Sequence, residues 1–223
     1  MRAPALLLVA LLTLSACATD ADDVALDDPA PEAAAEPAPT PGAPAPAFTL
    51  TDTNGTEHAL ADFAGQTVVL EWLNYDCPYV GKHYTSGNMP ALQERFTDEG
   101  VVWLSVVSSA PGEQGHFEPA VMNERTASEG GQQTAVLLDP EGTVGRLYDA
   151  QTTPQMVVIN EDGTVVYNGA IDDKNSTDLA DVETATSYII PAIAAAQAGT
   201  EADPATTQPY GCSVKYATDE AEA

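Results

Sequence analysis

The sequence predicts an α/β domain in three layers, with a central mixed β-sheet and helices on both faces. Two observations carry that prediction. Apolar, β-branched runs alternate with helical segments through the first half of the body, the pattern of parallel crossover units. Further on, Glu161-Asp162-Gly163 reads as a hairpin turn between two apolar runs and adds an antiparallel pair. Of the 223 residues 44% are hydrophobic, which is enough for one core and argues against wholesale disorder.

The first segments stand outside that core. Arg2 precedes an apolar run from Ala3 to Leu14 that is short for a bilayer span. It ends in Leu14-Ser15-Ala16-Cys17, small residues before a cysteine, which looks like a lipoprotein processing box. Residues 1–16 are therefore read as a signal peptide and Cys17 as the lipidated residue. The protein is expected to be exported to the cell envelope and held on a membrane face by acyl chains. The plainer alternative is an ordinary signal peptide with an incidental cysteine. Residues 17–46 carry seven acids, many Ala and Pro and no base, so they read as a self-repelling tether. Residues 217–223 read as a frayed acidic tail. The folded body is placed at 47–216.

Within the body, Phe48-Thr49-Leu50 and His58 to Leu60 flank Asn54-Gly55, a hairpin signal. Thr67 to Leu73 is apolar enough for a central strand. A helix is predicted just after Cys77, because Pro78 suits a first helical position. It restarts or kinks at Asn88, read as an N-cap, and runs to about Glu99. Val101 to Ser108 is a second strand, Phe117 to Glu129 a helix, and Thr134 to Leu138 a third strand. Met156 to Asn160 and Val165 to Asn168 form the closing hairpin. Leu179 to Ala198 reads as one long Ala-rich helix.

Charge excludes more than it identifies. The chain holds 34 acids and 7 bases, a net of −27, and the body alone holds 24 and 6. Such a surface repels phosphate backbones, so nucleic acid is excluded as a partner. No phosphate loop, Ser-His-Asp arrangement or zinc spacing occurs.

Cys77 is the candidate nucleophile. At a strand-to-helix turn, free backbone N–H groups and the helix dipole favour a thiolate. Lys82 and His83, about one turn later, are expected to add positive charge, while the adjacent Asp76 opposes it. Glu71 is the odd residue in an apolar strand. It either faces outward or is a buried carboxylate that moves protons near Cys77.

These residues carry a resemblance. The body resembles the thioredoxin superfamily, nearest to the peroxiredoxin-like branch of redoxin-domain proteins. The likeness lies in Trp72 through Cys77-Pro78-Tyr79-Val80, Lys82-His83-Tyr84, Asn88-Met89, Thr153-Pro154 and Tyr210-Gly211-Cys212-Ser213-Val214-Lys215-Tyr216. It implies a thioredoxin-like sandwich and a thiol oxidoreductase acting on a peroxide or a disulfide, recharged by a thiol reductant. It also implies a cis peptide at Thr153-Pro154, which would set the Thr153 backbone against the reactive sulfur. The departures are specific. A dithiol thioredoxin has a second cysteine three residues on, where this chain has Val80. Typical peroxiredoxins have a threonine three residues before the cysteine, where this chain has Asn74. They also use an arginine near the thiolate, for which Arg146 is the candidate here.

With Cys17 lipidated, Cys77 and Cys212 are the remaining thiols in an oxidising compartment. Either Cys212 resolves an intermediate formed on Cys77, or the two form a static bridge closing a loop of about 136 residues, worth about 4 to 5 kcal/mol. A non-catalytic envelope lipoprotein that serves as a binding or scaffold module is the alternative from another class. A copper site from Cys77, His83 and Met89 is a weaker one. No metal centre and no cofactor are expected.

Overall fold

The strand over Val68–Trp72 is the spine of the molecule, and all five of its residues are buried. The structure, a computed structural model, describes residues 39–218. In chain order its elements are β1 (Thr49–Asp52), β2 (Glu57–Ala59), β3 (Val68–Trp72), α1 (Pro78–Thr85), α2 (Asn88–Asp98), β4 (Val102–Val107) and α3 (Pro119–Ser128). There follow β5 (Ala135–Leu138), α4 (Thr143–Leu147), β6 (Thr152–Thr153), β7 (Gln155–Ile159), β8 (Val165–Gly169), α5 (Ile189–Ala198) and β9 (Cys212–Ser213). Seven strands form one sheet in the order β2-β1-β5-β4-β3-β7-β8, and β6 pairs with β9 beside it. The pairs β3–β4 and β4–β5 are parallel, while β3–β7 and β7–β8 are antiparallel, as the alternation and the hairpin signal predict.

Strand periodicity divides the core between the two faces. Val69, Leu73, Trp103, Met156 and Val158 pack with Val80, Tyr84, Met89, Phe96, Ile189 and Ile193 from α1, α2 and α5. Val68, Leu70, Trp72, Leu104, Val106 and Val157 face the other way. That second face is covered by Phe48, Val144 of α4 and Tyr148, a thinner layer than the first. Trp103 and Trp72 are both fully buried, one on each face.

Three readings of the sequence are corrected. Leu179 to Ala198 is not one helix: a 3-10 turn covers Leu179–Thr184, and α5 starts only at Ile189. Pro191 explains the late start, because a ring without an N–H is tolerated in the first turn but not deep inside a helix. Residues 186–188 are meanwhile spent on pairing with 171–173: Tyr188 N–H donates to Ile171 O at 3.0 Å. The α2 N-cap is Gly87, at φ 75°, rather than Asn88, whose side chain serves elsewhere. The body also starts earlier than residue 47. Pro44 bridges Thr164, and Gly42 and Ala45 donate to Val165 O and Gly163 O at 2.8 Å each, covering the open side of β8. Cys17, the leader, most of the tether and residues 219–223 lie outside the described residues.

Candidate active site

Cys77 caps α1 from an extended conformation (φ −81°, ψ 123°), with Pro78 at the first helical position and the Gly81 N–H donating to Cys77 O at 2.8 Å. The turn before it is pinned by Asn74. Its Oδ1 accepts from the Asp76 N–H at 2.9 Å, its Nδ2 donates to Gln114 O at 3.3 Å, and its backbone carbonyl accepts from the Cys77 N–H at 3.0 Å. The Asn74 amide therefore bonds the loop around Gln114 and the backbone of its own turn. Gly115 keeps that loop close, because a Cβ there would lie 2.4 Å from Asn74 Oδ1.

The Thr153–Pro154 peptide is cis, and Thr153 O lies 3.1 Å from the Cys77 sulfur. This is the backbone geometry that the family resemblance implies. Beside it runs the C-terminal arm. β9 pairs antiparallel with β6, with Thr153 opposite Cys212, which leaves the two sulfur atoms 2.7 Å apart. Gly211 permits the approach. A Cβ at that position would sit 2.0 Å from Thr153 O, and the residue has φ 136°. The arm also covers Cys77, which is 1% exposed.

The two thiols are polarised in opposite directions. Burial pushes the Cys77 thiol up. The Cys212 thiol and the backbone N–H groups of Val80 and Cys212 outweigh it and hold Cys77 below the ordinary range. Burial and the neighbouring Cys77 push Cys212 up to about 12, with Lys215 opposing. Lys215 also donates to Ser213 Oγ at 3.1 Å.

Lys82 and His83 do not serve the sulfur, contrary to expectation. Both are buried and face Tyr210. Lys82 Nζ donates to Lys174 O at 2.8 Å and lies 3.5 Å from Tyr210 Oη. His83 Nε2 lies 3.3 Å from the same oxygen, and its Nδ1 accepts from Asn88 Nδ2 at 2.9 Å. The Tyr210 hydroxyl donates to Asp172 Oδ1. With both ring nitrogens engaged, His83 is not available to a copper site with Cys77 and Met89. Among the described residues, no three His, Cys, Asp or Glu side chains cluster to hold a metal ion.

Arg146 is likewise displaced from its expected role. It donates to Glu141 O at 2.8 Å and Ala217 O at 3.1 Å, and its guanidinium lies 4.5 Å from the Tyr216 ring centre. The arginine beside the cysteine turn is Arg125 of α3. It meets Asp76 at 3.0 Å and lies over the rings of Phe117 and Tyr75. Sequence reasoning missed it because 49 residues separate the partners. Arg125 offsets the carboxylate that would otherwise oppose a thiolate at Cys77.

Glu71 is buried, not outward-facing. Four donors converge on its carboxyl: Trp103 Nε1 at 2.8 Å, Tyr84 Oη at 3.0 Å, Gln93 Nε2 at 3.0 Å and Ser105 Oγ at 3.1 Å. Burial nevertheless raises its pKa above the usual carboxylate value.

A family model described as Redoxin matches residues 40–186, which include Cys77 and Thr153-Pro154 and leave Cys212 beyond their end. None of the curated proteins matches. Among solved structures, a hypothetical protein from Sinorhizobium meliloti is 21% identical with a TM-score of 0.64, over 80% of this chain and 96% of that one. An uncharacterized conserved protein from Geobacillus kaustophilus is 24% identical with a TM-score of 0.66, over 81% and 94%. At these identities the structural likeness speaks to the fold.

Proposed function

We propose, from the fact that this chain belongs to the Redoxin family, that it is an exported dithiol oxidoreductase in which Cys77 is the nucleophile and Cys212 resolves. At family level the function is thiol-disulfide oxidoreductase-like. The observation that carries the finer reading is the sulfur pair 2.7 Å apart at a helix N-terminus, one thiol held below and the other above its ordinary pKa.

The chemistry balances with two thiols. The Cys77 thiolate attacks one sulfur of a substrate disulfide; that S–S bond breaks, one substrate thiolate leaves, and a mixed disulfide forms. Cys212 gives up its proton, by way of solvent, to the departed thiolate and attacks the Cys77 sulfur. The second substrate thiolate then leaves, and two electrons have passed from the cysteines to the substrate. An external thiol reductant restores the pair. Attack on a peroxide would use the same thiolate, giving a sulfenic acid that Cys212 condenses to a disulfide and water. The site favours disulfides over peroxides, because the Asn74 amide is committed to Gln114 and Asp76 and the nearby Arg125 to Asp76. Cys17 supplies the membrane anchor in this reading, supported by the Leu14-Ser15-Ala16-Cys17 box.

Turnover of a model disulfide, followed with a thiol reductant in excess, is the test. Cys77→Ser is expected to abolish it, and Cys212→Ser to trap mixed disulfides on Cys77. Wild-type turnover by Cys77→Ser would sink the reading, and no turnover by the wild type would favour a binding or scaffold module. Mass spectrometry of the membrane-extracted protein, before and after reduction, reports the Cys17 lipid and the Cys77–Cys212 bridge together.

A further inference from the structure

We propose that Tyr210 is the positioning residue that seats Cys212 against Cys77, gripped by a socket of Lys82, His83 and Asp172. The proposal rests on the dithiol reading above and extends it to the step in which Cys212 resolves.

The socket is built from parts remote in sequence. Lys82 and His83 lie on α1, five and six residues after the nucleophile it begins with. Asp172 follows β8, and Tyr210 belongs to the arm. Asp172 is itself pinned, because its Oδ1 accepts from the Lys174 N–H at 2.9 Å and its backbone bridges Ser187. All three groups meet at the phenol oxygen, and the chemistry of that oxygen is complete. A tyrosine hydroxyl has one proton to give and two lone pairs. The proton goes to Asp172 Oδ1, while Lys82 Nζ and His83 Nε2 approach at 3.5 and 3.3 Å as donors. His83 can donate there because the Asn88 amide donates to Nδ1, which leaves the ring hydrogen on Nε2. The ring of Tyr210 is buried as well, against Tyr79 at 5.9 Å between centres and under the Lys82 ammonium at 5.3 Å.

Position in the chain makes this an anchor for one residue in particular. Tyr210 lies two residues before Cys212, and Val214, whose N–H donates to Gln151 O at 3.0 Å, lies two residues after it. Cys212 is thus held between two fixed points. Between Tyr210 and Cys212 stands Gly211, whose close approach to Thr153 O leaves no slack. Helix α1 therefore carries the nucleophile at one end and, a turn later, the grip on the arm that brings the second sulfur to it. An ordered arm raises the effective concentration of Cys212 at Cys77 without touching the reacting atoms.

The test uses the full chain with Tyr210→Phe, which keeps the ring and deletes the hydroxyl. One readout is the rate at which iodoacetamide alkylates Cys77 in a Cys212→Ser background. With Cys77 covered by the arm, that rate follows the fraction of open arm. Loss of a buried hydrogen bond to a charged group is expected to raise it roughly tenfold. The other readout is the equilibrium constant for forming the Cys77–Cys212 bridge in glutathione buffers, expected to fall roughly tenfold. Tyr148→Phe is the control for general loosening. It deletes a buried hydroxyl that donates to Pro46 O at 2.7 Å, away from the arm, and both readouts should stay within about twofold. Unchanged alkylation in Tyr210→Phe, or an equal rise in Tyr148→Phe, overturns the anchor. If the wild type forms no bridge in any glutathione buffer, the dithiol reading falls, and the alkylation rates still decide whether Tyr210 seats the arm.

Discussion

Gly211→Ala puts one methyl group where the arm meets the Thr153 carbonyl. The added Cβ would lie 2.0 Å from Thr153 O, whereas carbon–oxygen contacts settle at about 3.3 Å or more, so the arm must retreat by more than about 1 Å. The backbone works in the same direction. At φ 136° an L-residue is strained by about 1 to 3 kcal/mol, and lifting the arm relieves both effects. That retreat opens the Thr153–Cys212 pairing and draws the sulfurs apart. A misplacement of this size at reacting atoms costs on the order of a hundredfold. The assay is acid-quenched mass spectrometry across a series of glutathione buffers. The bridge equilibrium constant of Gly211→Ala should drop by about ten- to a hundredfold. A variant that forms the bridge as readily as wild type would refute the reasoning, because the close approach would then not be what aligns the cysteines.

Arg125→Ala should raise the Cys77 pKa, because Asp76 loses its 3.0 Å partner beside the sulfur; thiolate absorbance against pH in a Cys212→Ser background measures it. Both groups are about a third exposed, so the shift should shrink with added salt, and a salt-independent shift would contradict the electrostatic cause. His83 should make stability pH-dependent. Burial holds its pKa at about 4 against an ordinary 6.5, so between those values the unfolded chain binds more protons and stability falls as pH falls. The difference is worth about 3 kcal/mol, fully present above pH 6.5 and lost by pH 4. Glu71, raised by burial, works in the opposite sense and loses stability as pH rises, so the test is denaturant unfolding of wild type against His83→Gln at pH 7, 6 and 5. Parallel pH curves for the two proteins would rule out the His83 account. Arg146→Ala should leave disulfide turnover within about twofold, since its partners are Glu141, Ala217 and Tyr216. A large loss would return it to the site.

Much of the architecture was readable from local pattern. The buried run at β3, the proline that starts α1 and the Glu161-Asp162-Gly163 turn each carry their meaning within a few residues. The candidacy of Cys77 is legible in the same way, because its place between an apolar strand and a proline-led helix is set by its neighbours. The long helix over 179–198 was misread although Pro191 was in view. Its pattern of alanines outweighed a ring that tolerates only the first turn.

The roles of the charged residues followed a different rule. Lys82 and His83 are expected at the sulfur from their distance along the chain and Arg146 from the family resemblance, and each points elsewhere. Arg125 reaches the cysteine turn from a helix 49 residues away. Side-chain direction depends on which element packs on which face, a property of the whole sheet rather than of any segment. Sequence alone determined the fold class, because strand and helix propensities act locally, and it singled out Cys77 and Cys212 as the candidate thiols; the cis Thr153-Pro154 backbone is what the family resemblance implies. How Cys212 reaches Cys77, and where Tyr210 is seated, came from packing, because 135 positions separate the two sulfurs and only the docked arm brings them together.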